Sequence, residues 1–150
     1  MSITLRQADL SDMEELQGVS YRASLSNERD LPLFVAHPEW LVLSDTAVRE
    51  GRTSVAVDSD GTLVGFATYL VTHDGAELED LFVDPSHMRC GIGTALVLAI
   101  SDELRLMNFA IMEVTANSHA MAFYASVGFQ PQGVVETEGG PAVRMRRCVV

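Results

Sequence analysis

The sequence predicts a mixed α/β (α+β) fold, in which a central, mostly antiparallel sheet of six or seven strands is flanked by about four helices. Three observations predict it. Several short stretches alternate apolar and polar residues, turn-forming residues separate them, and one long apolar helix pattern lies in the second half of the chain. Hairpins followed by alternating strands and helices are typical of this class. At 150 residues the chain has the length of one domain, which we place at 1–150.

The N-terminal part predicts one strand, two helices and a loop. Residues 2–7 alternate apolar and polar side chains, as a half-buried strand does. Residues 9–12 offer capping side chains, and apolar residues then recur at helical spacing. Residues 27–38 contain two prolines and are predicted as a loop. A second helix is predicted over about 39–50, because Gly51 can end it.

Three strands in hairpin connection follow. From residue 53 the apolar period changes to two, which predicts a strand over 53–57. The Asp-Ser-Asp-Gly sequence at 58–61 is a tight turn into a second strand at 63–71. Residues 73–75 form another turn, and the third strand runs over 76–83.

The C-terminal half alternates helices and strands. Residues 91–108 carry apolar side chains at helical spacing and predict a long helix. A short strand at 110–115 and a helix at 117–127 follow, the latter closed by a glycine. Two final strands are predicted at 129–136 and 142–150, joined by a turn rich in glycine and proline.

Composition excludes several functional classes. Apolar residues make up 47% of the chain, and the formal net charge is −11. Such a charge repels phosphate backbones and anionic membrane surfaces, so we expect no nucleic-acid or membrane partner. It suits a cationic partner instead. The apolar stretch at 95–100 is far shorter than the ~20 residues that span a bilayer.

The expected location is cytoplasmic, and no metal is expected. The N-terminal residues lack the basic and apolar regions of a signal peptide. Two cysteines, Cys90 and Cys148, are too few for a disulfide framework and suit free thiols. The four histidines are far apart, and no pair of ligands has the spacing of a zinc site.

The most informative stretch joins the third hairpin strand to the long helix. Here a strand enters an Asp-Pro turn, and Gly91 and Gly93 open an apolar helix. Backbone N–H groups at such a helix start attract an anion, and Arg89 could add a charged contact. Two alternatives compete with a phosphate site. The glycines could serve only close packing, or begin a dinucleotide-binding motif, although Leu96 stands where its third glycine belongs.

Two motifs in order resemble the GCN5-related N-acetyltransferase (GNAT) superfamily. The family's acyl-CoA loop, Q/R-x-x-G-x-G/A, corresponds to residues 88–93. A later motif, N-x-x-A-x-x-x-Y-x-x-x-G-F, is matched by Asn117, Ala120, Tyr124, Gly128 and Phe129. The resemblance extends from residue 3 to about residue 145. It implies that the fourth and fifth strands splay apart and hold the pantetheine arm of CoA.

The resemblance also implies the acetyl-CoA site. Met88 replaces the usual Gln or Arg, and Cys90 replaces a residue that is often basic. We therefore expect backbone N–H groups, more than side chains, to bind the pyrophosphate, and an N–H near Phe82 to polarise the thioester carbonyl. The residues assigned to acetyl-CoA are Leu81, Phe82, Val83, Met88, Arg89, Cys90, Gly91, Ile92, Gly93, Thr94, Asn117 and Tyr124.

Asn117 and Tyr124 are predicted to share one helix face. Seven residues make almost two helical turns, so a long ligand beside the helix could contact both side chains. By resemblance, Asn117 binds the pantetheine arm, and the Tyr124 hydroxyl is the acid that protonates the departing thiolate. Asn117 could instead cap the helix, and Tyr124 could serve packing alone.

The predicted base is a strand carboxylate. Glu77 and Glu79 alternate with an apolar residue, so we expect them to share one face of the strand, where family members place a catalytic Glu or His. Glu79 is the first candidate and Glu77 the second, followed by Glu113 and by a base that acts through water. Alternatively, the acids form only a solvated strand edge.

The implied activity is transfer of an acetyl group from acetyl-CoA to a primary amine within a ternary complex. The alternative is a non-catalytic, CoA-binding regulatory module with the same fold. The substrate is expected to be cationic, and a homodimer is compatible with the resemblance. The family's acceptor site corresponds to segments that carry Tyr21, Glu28, Asp30, Phe34, His37, Trp40, Glu136 and Glu138.

Overall fold

The computed structural model describes residues 2–150 and contains one seven-stranded sheet. Its order is β1-β2-β3-β4-β5-β7-β6. Every neighbouring pair is antiparallel except β4 and β5, which are parallel, so the predicted fold class is confirmed. The strands are Thr4–Gln7 (β1), Thr53–Val57 (β2), Leu63–Thr72 (β3), Gly75–Val83 (β4), Ile111–Ala116 (β5), Gln130–Thr137 (β6) and Gly140–Cys148 (β7).

Five α-helices and three 3-10 turns connect the strands. Among residues 2–150, no helix is both long and apolar enough to cross a membrane. The helices are Met13–Leu25 (α1), Leu31–Ala36 (α2), Thr46–Arg49 (α3), Ile92–Leu106 (α4) and Met121–Ser126 (α5). The 3-10 turns are Leu10–Asp12, Pro38–Leu41 and Pro85–His87.

Two apolar cores lie between the sheet and the helices. The first core contains the buried face of α4, including Leu96 and Ile100, together with side chains of α5 and the C-terminal strands. The second core is smaller and joins α1, through Leu16 and Val19, to β2 and β3. Phe66 of β3 is 1% exposed and anchors the second core. Neighbouring residues of β2 and β3, such as Phe66 and Ala67, belong to different cores, so the long helix and the first helix pack on opposite faces of the sheet.

Two predictions between α1 and β2 are wrong. The predicted loop at 27–38 contains α2, whose first turn includes a proline, where a missing N–H does no harm. The predicted helix at 39–50 is divided into a 3-10 turn, an extended segment and the short α3. The cause is Gln17 of α1, whose side-chain oxygen accepts from the Leu43 N–H at 2.8 Å. That donor is therefore unavailable to a helix.

The parallel pairing of β4 and β5 is short, as expected for splayed strands. Only Ala76 pairs with Met112 and Glu77 with Glu113. Beyond these pairs β4 continues along β3 to Val83, and β5 continues along β7. We call the gap between residues 78–83 of β4 and residues 114–116 of β5 the β4–β5 opening. It is where the sheet offers unpaired backbone edges to a ligand.

Candidate active site

The β4–β5 opening presents backbone groups of β4. The Asp84 N–H donates to the Val64 carbonyl of β3 at 2.8 Å. Successive residues of an antiparallel strand direct their amide groups to opposite edges, so Phe82 also faces β3. Leu81 and Val83 therefore face the opening. The N–H groups near Phe82 that could polarise a carbonyl belong to these two neighbours.

The loop between β4 and α4, residues 84–91, is anchored through Asp84. Its carboxylate accepts from the Ser86 N–H at 3.1 Å and forms an ion pair with Arg22 of α1 at 2.7 Å. Burial opposes ionisation of Asp84, but the hydrogen bonds from Ser86 and Arg22 outweigh it and lower its pKa. The start of the loop is thus held against α1, which belongs to the second core.

The same loop ends in two residues with a left-handed backbone. Arg89 has a φ of 63°, and Gly91, the N-cap residue of α4, has a φ of 78°. No side chain caps α4 at Gly91, so the first N–H groups of this 15-residue helix lack an intrahelical partner. Such N–H groups and the helix dipole attract an anion. The loop therefore offers backbone donors to an anion.

The two glycines of this loop have different surroundings. A Cβ atom on Gly91 would meet nothing within 4 Å, so the backbone there is open to a ligand. A Cβ atom on Gly93 would lie 3.1 Å from Cζ of Phe123, so Gly93 allows α4 and α5 to pack closely. The packing interpretation therefore applies to Gly93. Around them Met88, Arg89 and Cys90 are exposed, Thr94 is half-buried, and the Ile92 side chain lies in the first core.

Tyr124 of α5 belongs to the first core. Its ring packs edge-on against Phe123 and Phe129, with centroid distances of 5.3 Å in both pairs. The residue is 9% exposed. Burial, and then the negative charge of Asp80 on β4, raise the pKa of Tyr124 to about 12. The hydroxyl therefore keeps its proton at neutral pH, within electrostatic range of the Asp80 carboxylate.

Asn117 does not share a helix face with Tyr124, which corrects the prediction. α5 begins only at Met121, and the Ala120 N–H donates to the Asn117 carbonyl at 3.0 Å. Asn117 therefore lies in a turn directly after β5, and its side chain does not cap α5, whose N-cap residue is Ala120. Its position is still next to the opening, because it is one residue beyond the end of β5.

Three predicted base candidates are each close to an arginine. Nη1 of Arg144, on β7, donates to Oε1 of Glu77 at 2.6 Å. Nε of the same arginine lies 3.6 Å from Oε2 of Glu113. Glu79 has a different partner, with its Oε2 3.8 Å from Nη1 of Arg52, which precedes β2. Each of these carboxylates already has a cation beside it.

Glu77 and Glu79, which were predicted to share a strand face, contact different arginines. β4 contains a bulge, in which Asp80 is opposite Thr68 and Leu78 is opposite Tyr69 of β3. Glu79 is the additional residue between these pairs. Ala76 and Leu78 are buried and Glu79 is exposed, so the alternation behind the prediction continues as far as the bulge, which changes the register only from Asp80 onward.

Asp80 is the carboxylate that sequence reasoning missed. Burial, and then the adjacent charge of Glu79, raise the pKa of Asp80 to about 6, although Arg52 lowers it in part. A carboxylate with such a pKa can exchange a proton near neutral pH. The only signal in the sequence was an acid directly before the apolar run Leu81-Phe82-Val83. That signal did not reveal the bulge.

A cavity of about 440 Å³ lies beyond the end of β5. Two acids and two aromatic side chains line it, and none of its lining residues is basic. One of the acids, Asp30, lies 3.3 Å from Nε2 of His119. The lining residues are Asp30, Leu33, Phe34, Trp40, Asn117, Thr137, Glu138, Gly139, Pro141 and Ala142.

Half of the predicted acceptor residues line this cavity. They are Asp30, Phe34, Trp40 and Glu138. His37 is not among the lining residues, but its ring stacks on that of Trp40 with centroids 4.1 Å apart. Within the described residues 2–150, no group of three or more His, Cys, Asp or Glu side chains is arranged to hold a metal ion.

The fold is shared with solved structures. PaiA N-acetyltransferase from Thermoplasma acidophilum, solved in complex with coenzyme A, superposes with a TM-score of 0.76. The superposition covers 99% of both chains at 20% sequence identity. At this identity the likeness establishes the class of fold.

The family is established by the sequence itself. Residues 11–129 match the model of the Acetyltransferase (GNAT) family, which is more than half of the chain. The chain therefore belongs to the GNAT acetyltransferase family, as its motifs predicted.

Two characterised relatives match parts of the chain. The [ribosomal protein bS18]-alanine N-acetyltransferase of Escherichia coli is 40% identical over 73 residues, which are 47% of this chain and 49% of that protein. Mycothiol acetyltransferase of Sanguibacter keddieii is 31% identical over 137 residues, covering 75% of this chain and 44% of that protein. The chain thus spans about half the length of the relatives it matches.

Proposed function

We propose that this protein transfers the acetyl group of acetyl-CoA to a primary amine by direct attack within a ternary complex. One observation carries the proposal. The β4–β5 opening lies between an anion-binding loop at Gly91 and an acidic, aromatic cavity bordered by Asn117. A donor held by its phosphates and an acceptor held by its charge would therefore meet in the opening.

The donor would be bound mainly by backbone groups. The first N–H groups of α4 would bind the pyrophosphate, and the left-handed conformation at Gly91 would allow its close approach. Leu81 and Val83 direct their N–H groups into the opening, where they can bind the pantetheine arm and polarise the thioester carbonyl. Met88 and Cys90 contribute little in this arrangement, consistent with their departure from the family motif.

Tyr124 would protonate the departing sulfur. Its hydroxyl is protonated at neutral pH because burial raises the pKa of Tyr124 to about 12. Negative charge develops on sulfur as the C–S bond breaks, and a positioned hydroxyl stabilises that charge by donating a proton. The ring is fixed by Phe123 and Phe129, so the hydroxyl is oriented before the substrates bind.

The acceptor would be a cationic amine in the cavity beyond β5. Asp30 and Glu138 supply negative charge, and Phe34 and Trp40 supply apolar surface and aromatic faces that attract cations. The chain's net charge of −11 favours the approach of such a molecule.

Thiol release from acetyl-CoA tests the proposal. We would assay it with spermidine, glucosamine and a hexapeptide that has an N-terminal alanine, and confirm the acetylated product by mass spectrometry. Amine-dependent thiol release is expected for at least one of these amines. Stabilisation by CoA without release would indicate the non-catalytic, CoA-binding module, and no stabilisation in millimolar CoA would contradict both functions.

A further inference from the structure

Four carboxylates surround the point where β4 and β5 separate. Glu77 and Glu113 share Arg144, at 2.6 and 3.6 Å, and Glu79 lies 3.8 Å from Arg52. These three carboxylates are therefore each within 4 Å of a guanidinium nitrogen. Among the ion pairs within residues 2–150, none includes Asp80.

The position of Asp80 follows from the bulge in β4. Asp80 is opposite Thr68 of β3, a residue that is only 2% exposed. The Thr68 hydroxyl lies 3.0 Å from the Thr53 hydroxyl of β2. Asp80 directly precedes Leu81, whose backbone N–H faces the opening. Asp80 therefore belongs to the segment of β4 that borders the opening, and its charge acts on Tyr124 of α5.

We propose that Asp80 is the general base that accepts the proton of the attacking amine. This assignment rests on the proposed acetyl transfer. The charged and titratable groups that act on Asp80 are Glu79 of the same strand, Arg52 before β2 and Tyr124 of α5. From α1, Arg22 is directed to Asp84 instead. Burial and Glu79 raise the pKa of Asp80 to about 6, which suits a base at neutral pH.

The proton balance of the reaction requires two transfers from nitrogen. The Asp80 carboxylate accepts one proton of the substrate ammonium group and releases it to water. The free amine then forms the C–N bond to the thioester carbonyl carbon. As the C–S bond breaks, sulfur receives the proton of Tyr124, and the second proton lost from nitrogen replaces it through water. The products are an N-acetyl amide, CoA thiol and one released proton.

The test is the pH dependence of kcat/KM, measured with whichever of spermidine, glucosamine and the alanine hexapeptide is acetylated fastest. In the unmodified protein kcat/KM is expected to rise with pH through an apparent pKa near 6, where Asp80 loses its proton. Asp80→Asn should lower kcat by roughly 10²- to 10⁴-fold and abolish that limb. The residual activity should rise only as the amine itself deprotonates.

Two further variants separate catalysis from structure. Asp60→Asn makes the same chemical change in the exposed β2–β3 turn and should leave the profile unchanged. Glu79→Gln removes a charge that raises the pKa of Asp80, so it should keep the acidic limb but move it to lower pH. A merely structural role for Asp80 would not produce these shifts. Melting temperatures of all variants show whether each is folded.

The outcomes distinguish this assignment from the proposed function. If the unmodified protein acetylates no amine, the proposed function is wrong and the assignment of Asp80 falls with it. If it is active and Asp80→Asn keeps the limb near pH 6, only the assignment is wrong. Loss of the limb in Glu79→Gln would identify Glu79 as the base. A higher KM with unchanged kcat in Asp80→Asn would make Asp80 a binding group.

Discussion

The two sides of the β4–β5 opening are built in different ways. On the proposed donor side, the loop at residues 84–91 presents backbone N–H groups, and its main feature is a left-handed conformation at Gly91. On the proposed acceptor side, the cavity is lined by side chains from segments that are far apart in the sequence. A backbone site tolerates side-chain changes but not a change of conformation, whereas a side-chain site depends on each group's charge and shape.

The largest effect is expected from Gly91→Val. A β-branched residue strongly disfavours a φ of 78°, and its side chain would occupy the space left for phosphate. We expect CoA affinity to fall by about 10³-fold, measured by calorimetry. Gly75→Val is the matched control, because Gly75 has a φ of 141°, a Cβ there would meet nothing within 4 Å, and it lies at the end of β4 opposite to the loop. It should lose stability but keep its affinity for CoA.

Tyr124→Phe is expected to lower kcat by about 10²-fold with little change in CoA affinity, because the hydroxyl acts mainly as charge develops on sulfur. Tyr69→Phe is the control. It also deletes one buried hydroxyl, but that hydroxyl faces Glu103 of α4 at 3.4 Å. Comparable kcat values for the two variants would mean that Tyr124 serves packing alone, and that only backbone groups act on acetyl-CoA.

Glu138→Gln tests the acceptor side. The residue lines the cavity but is exposed, so loss of its charge should raise KM for a cationic amine by up to about fivefold, or ~1 kcal/mol. Glu136→Gln alters an exposed acid of the same hairpin that is not among the cavity's lining residues. It should change KM less than twofold. Equal effects would mean that overall charge, rather than the cavity, attracts the substrate.

The smallest effect is expected from Met88→Ala and Cys90→Ala. Both side chains are exposed on the donor loop, and the backbone carries the phosphate contacts in the proposed site. Affinity for CoA should change by less than about threefold in either variant, measured by the same calorimetry. A tenfold loss from Met88→Ala would show that side chains of this loop bind CoA and would remove the contrast between the two sides.

The sequence predicted backbone features formed by neighbouring residues better than sites formed by distant side chains. Periodicity and turns gave β3 and β4 within one residue at each end, since 63–71 became Leu63–Thr72 and 76–83 became Gly75–Val83. The family and the position of the donor loop were likewise predicted, because glycines and turns act on the backbone next to them.

The acceptor side was harder, because its structure depends on contacts that are distant in the chain. Gln17 removes a backbone donor at Leu43, 26 residues later, and so breaks the predicted helix. The predicted helix began at Asn117, four residues before the observed start of α5, because the turn before α5 has no strong sequence signal. Asp80 was missed because the bulge in β4 depends on how β4 pairs with β3. The alternation of residues within β4 alone does not reveal that pairing.

The buried carboxylate of Asp80 couples folding to the uptake of a proton. The pKa of this group is ordinarily 3.8 and is raised to about 6 in the folded protein. Between these values the folded chain holds a proton that the unfolded chain has released, so stability falls as pH rises through this interval. Above about pH 6 the charged carboxylate costs up to about 3 kcal/mol. At neutral pH, a bound ammonium group would offset part of that cost. The buried negative charge of Asp80, which lowers the stability of the free protein, should therefore favour binding of a cationic amine.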